Sequence, residues 1–244
     1  MSKPYIFGHR GAMGYEIENT LPSFKKAVEM KAGIETDLHL TKDNILVCFH
    51  DHGFQIGAQS YMINQLTLKE LRNIRFEDER EVPTFEDIVR IFKDSPKTPR
   101  FSCDIGNKKV GLELINFIEK FSLFERLEIT DLKPRVLFNL RKKNDKVQLV
   151  HTVPFIVVHI NNKTIKFDKI HENQISILNI KYDRVSEENF KNIIDNGFKC
   201  YCWGVNSKAR MKKVLNMKYK DETFSAIYTN FPDILINLRD EIYS

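Results

Sequence analysis

The sequence predicts an α/β fold, a closed (β/α)8 TIM barrel, and three observations carry that expectation. Eight short apolar runs with strand character alternate with amphipathic helical stretches, the pattern of parallel βα units. At 244 residues the chain has the length of one such barrel. No linker rich in Gly, Pro or Ser interrupts it, so residues 1–244 read as a single domain. An open doubly wound sheet is the alternative packing of the same units.

Tyr5–Gly8 reads as the first strand. Leu21, Phe24, Ala27, Val28 and Lys31 then keep a helical period, with Asn19 or Thr20 as N-cap, Pro22 in the first turn and Gly33 just past the end. Ile34–Leu38 is the second strand. Leu68–Arg75 and Phe85–Phe92 follow as helices, the latter with Thr84 as N-cap and Asp87 in the capping-box position. Phe101–Ile105 is the third strand and Val110–Phe121 its helix. The remaining strands are Leu127–Thr130, Gln148–Thr152, Ser176–Ile180, Cys200–Trp203 and Ala226–Thr229. Helices at Pro134–Lys143, Glu187–Asp195, Ser207–Leu215 and Pro232–Leu238 lie between or after them.

One further apolar run, Ile45–Phe49, lies too close to Leu38 for a helical crossover, which takes a dozen or more residues. A hairpin with Asp43-Asn44 as a two-residue tip is expected there. In that register His50 stands opposite Asp37 and Cys48 opposite His39, so the hairpin would deliver a histidine to a carboxylate.

Composition narrows the function. Hydrophobic residues make up 42% and charged residues 29%, the values of an ordinary globular chain and not of a collagenous or disordered one. The apolar runs are too short to cross a bilayer, so no transmembrane segment is expected. The N-terminus lacks a long apolar stretch with a small-residue cleavage site. The four cysteines Cys48, Cys103, Cys200 and Cys202 sit inside strand-like segments, which suggests buried free thiols in a reducing, cytoplasmic setting. A net charge of +5 suits an anionic ligand, but the basic residues are scattered, so nucleic acid is not an expected partner.

Polar residues gather where a barrel keeps its active site, at the C-terminal ends of the strands. His9 and Arg10 end the first strand. Glu35 and Asp37 share one face of the second, and Asp104 shares the equivalent face of the third with Ser102. Three converging carboxylates repel one another unless a cation lies between them, and oxygen ligands favour a hard divalent ion, Mg²⁺ or Ca²⁺. His9 and His50 are the candidate acid and base, and Arg10 a candidate phosphate clamp. Each residue also has a plainer reading, such as an ion pair of Arg10 with Glu16 or Glu18, but those readings do not explain the shared position at strand ends.

The ordered motifs His9-Arg10-Gly11, Glu18-Asn19-Thr20-Leu21, Gly33-Ile34-Glu35-Thr36-Asp37, Leu40-Thr41-Lys42-Asp43 and His50-Asp51 resemble those of the glycerophosphodiester phosphodiesterase family. The likeness continues through Leu66–Leu71 and Val82–Asp87 and returns at Trp203-Gly204-Val205-Asn206 and Tyr228–Pro232. It implies a TIM barrel with a small insertion after the second strand, at about residues 51–99. It implies a divalent cation held by Glu35, Asp37 and Asp104, with His9 and His50 as the acid–base pair. The implied reaction is hydrolysis of a glycerophosphodiester to glycerol 3-phosphate and an alcohol, the glycerol 2-hydroxyl attacking phosphorus first. Arg10 and Trp203 are the expected substrate-binding residues, with Tyr201 and Trp203 offering an apolar wall. A homodimer is left open.

Four residues depart from the family pattern. Asp104-Ile105-Gly106 stands where Glu-Ile-Lys is usual, so a lysine expected at phosphate is missing; Lys108, Lys109, Lys181 or a backbone amide are the candidate replacements. Gly204 replaces a usual Thr, and Asn230 a usual Asp. A metal-independent lyase of the related phospholipase C type, or a barrel that binds phosphodiesters without turning them over, are the alternative readings.

Overall fold

The computed structural model describes residues 2–92 and 99–244. Eight parallel strands make the central sheet: β1 (Tyr5–Gly8), β2 (Gly33–Leu40), β3 (Phe101–Asp104), β4 (Leu127–Asp131), β5 (Gln148–Thr152), β6 (Ile177–Lys181), β7 (Lys199–Trp203) and β8 (Ala226–Thr229). Each pairs with its sequence neighbour, and β1 pairs on its other side with β8. Gly8 is opposite both Ile34 and Thr229, which closes the sheet into the expected barrel. The open doubly wound alternative leaves these edges unpaired and is therefore excluded.

Alternation along each strand divides two cores. Ile6, Ile34, Leu38, Phe101, Cys103, Ile129, Leu149, Cys200 and Ile227 face outward into the layer shared with the helices. Phe7, Val150, Ile177, Tyr201, Ala226 and Tyr228 face the barrel axis. Polar groups fill the rest of the interior. Glu128, 2% exposed, accepts hydrogen bonds from Arg100 Nη2 at 2.7 Å, Tyr201 Oη at 3.1 Å and Tyr228 Oη at 3.3 Å. The Arg100 guanidinium lies over the rings of Tyr5 and Phe7. This network closes the N-terminal end of the barrel, leaving the opposite end for chemistry. Tyr201 belongs to this deep layer and not to a wall at the mouth, because its hydroxyl is drawn down to Glu128.

Helix ends follow the sequence signals. Thr20 caps Leu21–Glu29, with its side chain accepting from Ser23 N–H. Thr84 and Asp87 exchange side-chain to backbone hydrogen bonds at the start of Phe85–Phe92. Ser207 caps Lys208–Asn216. Between Thr152 and Ile177 lies a short helix, Phe167–Glu172, that no sequence pattern announced. All four cysteines are buried and unpaired. No described helix is long and apolar enough to cross a membrane.

The stretch between β2 and β3 builds its own small cluster. Leu46–Cys48 pairs antiparallel with the end of β2, and Gly53–Ile56 pairs with Gln59–Met62. Val47, Phe49, Ile63, Leu71 and Val82 pack beneath them. Residues 93–98 of the expected insertion lie outside the described residues. The hairpin register differs from expectation by one residue: Leu38 is opposite Cys48 and His39 opposite Val47. The cause is the tip. Thr41 N–H donates to Ile45 O, and Asn44 adopts φ +61, so the loop has three residues ending in a left-handed one, not two. The slip puts Phe49, not His50, opposite Asp37, where its N–H donates to the Asp37 carbonyl at 3.0 Å. Cys48 consequently packs with Leu38 in the outer core, away from His39.

Candidate active site

The mouth is built from strand ends and the turns that follow them. After β1 the chain bends sharply: Arg10 sits at φ +51 and Gly11 at φ +83. A Cβ on Gly11 would stand 2.4 Å from Ser23 Oγ, so only glycine allows the first helix to approach this turn. The bend aims the Arg10 N–H at Glu35, whose Oε2 accepts it at 2.7 Å. Glu35 is thereby fixed by backbone rather than by a mobile side chain.

Glu35, Asp37 and Asp104 occupy neighbouring positions on the inner face, with Asp37 directly opposite Asp104 and Glu35 opposite Ser102. Burial pushes the Glu35 carboxyl well above the usual carboxylate range, and the nearby charges of Asp37 and Asp104 add to this. Asp104 is pushed up to about 7, first by burial, then by Asp37 and Asp131. Such mutual repulsion among buried acids is what a bound divalent cation would relieve, and the all-oxygen donor set suits Mg²⁺ or Ca²⁺. Among the described residues, however, no three acidic, histidine or cysteine side chains are gathered at ligating distance. The carboxylates are electrostatic neighbours, with the Arg10 side chain beside them.

Arg10 takes the plainer role the sequence allowed as well. Its Nη1 donates to Glu18 Oε2 at 2.7 Å, and its Nε lies 3.4 Å from Asp37 Oδ2. Asn19, at φ +55, bridges two strand residues, accepting from Thr36 Oγ1 at 2.7 Å and donating to Asp37 Oδ2 at 3.0 Å. From sequence, Asn19 is a candidate helix cap and part of the Glu18-Asn19-Thr20-Leu21 motif. Its side chain instead positions a site carboxylate.

His9 Nδ1 lies 3.0 Å from Asn230 Oδ1, an oxygen that can only accept, so Nδ1 carries the proton and Nε2 keeps its lone pair. Burial, then the Arg10 charge, lower the His9 pKa. Asn230 is itself held by its backbone N–H donating to Asn206 Oδ1 at 2.9 Å. His50 stands apart from this group. Its Nδ1 pairs with Asp51 Oδ1 at 2.9 Å, and its side chain is 42% exposed. The hairpin carries it one residue past Asp37, which stands opposite Phe49 instead.

Trp203, the last residue of β7, is half-buried on the inner face, with the Lys181 ammonium 5.3 Å from its ring centroid. Buried side-chain atoms without a hydrogen-bond partner among the described residues are Arg10 Nε (which has only its ion pair with Asp37), Asp131 Oδ2, Asn179 Oδ1 and Trp203 Nε1. All four belong to residues at or near the C-terminal ends of barrel strands. Buried polar atoms are ordinarily satisfied, so their concentration at one end marks where a polar ligand is received.

Residues 9–234 match the model of the glycerophosphoryl diester phosphodiesterase family. The chain belongs to that family. The Bacillus subtilis (strain 168) protein YhdW is 28% identical over 260 residues, covering 95% of this chain and 96% of its own. A Caldanaerobacter subterraneus protein named glycerophosphodiester phosphodiesterase is 25% identical over 97% of this chain and 98% of its own. Among solved structures, an Oleispira antarctica phosphodiesterase in complex with the product sn-glycerol-3-phosphate shares the fold, with a TM-score of 0.78 at 18% identity over 98% of this chain and 97% of that one. Asn230 is the partner of His9, and Gly106 follows the third carboxylate by two residues.

Proposed function

We propose that the protein hydrolyses glycerophosphodiesters to glycerol 3-phosphate and an alcohol. The observation that carries this reading is the meeting of a neutral-tending His9 with Glu35, Asp37 and Asp104 at the ends of three successive strands in a chain of this family. The substrate class follows from the family, and glycerol 3-phosphate is the product bound in the Oleispira antarctica phosphodiesterase of the same fold.

His9 begins as base in this proposal. Its Nδ1 proton is held by Asn230, and burial keeps the ring neutral near pH 7, so Nε2 can take a proton from the attacking glycerol hydroxyl. His50 protonates the departing alkoxide. Asp51 orients it by accepting at Nδ1, which leaves Nε2 to donate. The roles reverse when water opens the cyclic phosphate. Glu35, Asp37 and Asp104 would hold the divalent cation, Mg²⁺ or Ca²⁺, with Arg10 N–H and Asn19 keeping Glu35 and Asp37 in place. Bound there, the cation supplies positive charge that acidifies the hydroxyl and offsets charge on the phosphoryl oxygens. Arg10 and Trp203 border the substrate. Residues 1–244 are taken as one catalytic domain, and four buried free thiols support a reducing, cytoplasmic setting.

A second reading, the metal-independent lyase, is favoured by the Arg10 guanidinium, which already places a positive charge beside Asp37. One experiment separates the two. Phosphorus NMR of sn-glycero-3-phosphocholine incubated with the protein should show glycerol 3-phosphate, lost on adding EDTA and regained with excess Mg²⁺ or Ca²⁺. The signal should vanish in His9→Ala and His50→Ala. A cyclic phosphate accumulating at full rate in EDTA would instead establish the lyase.

A further inference from the structure

We propose that Lys133 supplies the ammonium that holds the substrate phosphate at this mouth, reaching it from the loop after β4. The assignment rests on the phosphodiester reading above. An anionic substrate must settle beside several carboxylates, so a cation has to meet it there. Arg10 is already engaged by Glu18 and Asp37. Lys181 rests over the rings of Trp203 and Phe155, on the strand farthest around the barrel from β2.

Lys133 differs from both. Its Nζ donates to the Gly106 carbonyl at 3.5 Å, two residues past Asp104, and its side chain makes no other hydrogen bond among the described residues. One long contact leaves two ammonium N–H groups to give. Gly106 has φ +58, and a Cβ built on it would meet only His52 Cε1, at 3.8 Å, so the turn that Lys133 contacts is uncrowded on its Cα side. The backbone directs the side chain there. Lys133 N–H donates to Asp131 Oδ1 at 2.6 Å, closing a turn at the end of β4. Pro134 then starts the helix Pro134–Lys143, so Lys133 is the residue at its N-terminal, positive end, which has no side-chain cap. The residue is thus a cation placed at the Gly106 carbonyl, two residues past the third carboxylate, by the turn after β4, whereas the sequence alone points to Lys108, Lys109 and Lys181.

Calorimetric binding of sn-glycerol 3-phosphate tests this independently of turnover. Lys133→Ala should weaken binding about 10–100-fold, the range for losing a hydrogen bond to a charged group. Lys133→Arg should recover most of the affinity. Lys142→Ala, at the far end of the same helix, should bind as the unaltered protein does. Undiminished binding by Lys133→Ala overturns the proposal, as does an equal loss in Lys142→Ala, which would mean a diffuse charge effect. A loss confined to Lys181→Ala would overturn it by moving the role to that residue. An unaltered protein that binds the ligand but turns over no glycerophosphodiester counts against the proposed function alone.

Discussion

Asn230→Asp places a carboxylate against the one ring nitrogen of His9 that already has a partner. The two side chains have nearly the same shape, so the change is almost purely one of charge. The Asn230 oxygen lies 3.0 Å from His9 Nδ1. A unit charge roughly 4 Å from the protonated ring, at an effective dielectric constant of about 20, interacts by about 4 kcal/mol. Arg10 and solvent share that field, so the raised pKa should amount to about 1–3 units, the range for an opposite charge at this distance. His9 starts below its ordinary value, from burial first and the Arg10 charge second. Its neutral form is the one that takes a proton. The acid limb of kcat/KM against pH should therefore move to higher pH by about 1–3 units. The imidazole Cε1 proton of His9, followed by NMR titration, should move with it. A limb and a titration that both stay in place would refute the assignment of Nδ1 as donor and His9 as base.

Other outcomes follow from the same geometry. Glu35→Ala or Asp37→Ala should lower turnover by at least ~10²-fold, the scale for losing a directly acting group, with the fold intact by circular dichroism. Asn19→Ala should slow turnover less than Asp37→Ala does, because it removes one positioning hydrogen bond and leaves the carboxylate; steady-state kinetics of the two side by side decides this. Glu128→Ala strips Arg100 of its buried partner. With Arg100 about a third exposed, the loss should fall near the lower end of the range for such pairs, about 3 kcal/mol, and lower the melting temperature by roughly 6–12 °C in calorimetry.

Strand positions were legible because each barrel strand is a compact apolar run bounded by polar turns. Phe101–Asp104, Gln148–Thr152 and Ala226–Thr229 fall within a residue of their expected limits. The alternation that sends Glu35, Asp37 and Asp104 inward was legible for the same reason. The hairpin register was not, since a three-residue loop and a two-residue loop share the same residues and differ in the backbone of Asn44. The six-residue helix Phe167–Glu172 is too short to show a period. Partners distant in sequence left no local trace: Asn230 is 221 residues from His9, and Gly106 is 27 from Lys133. Asn19 could have been suspected from its own motif, because an asparagine in a left-handed turn is well placed to aim its amide at a neighbouring strand.

A crystal structure determined after soaking with Mg²⁺ or Ca²⁺ and sn-glycerol 3-phosphate bears most directly on the account. It should show one ion ligated by Glu35, Asp37 and Asp104, with a phosphate oxygen as a further ligand and His9 Nε2 facing the glycerol 2-hydroxyl. An ion bound elsewhere, or a phosphate seated away from these three strand ends, would contradict it.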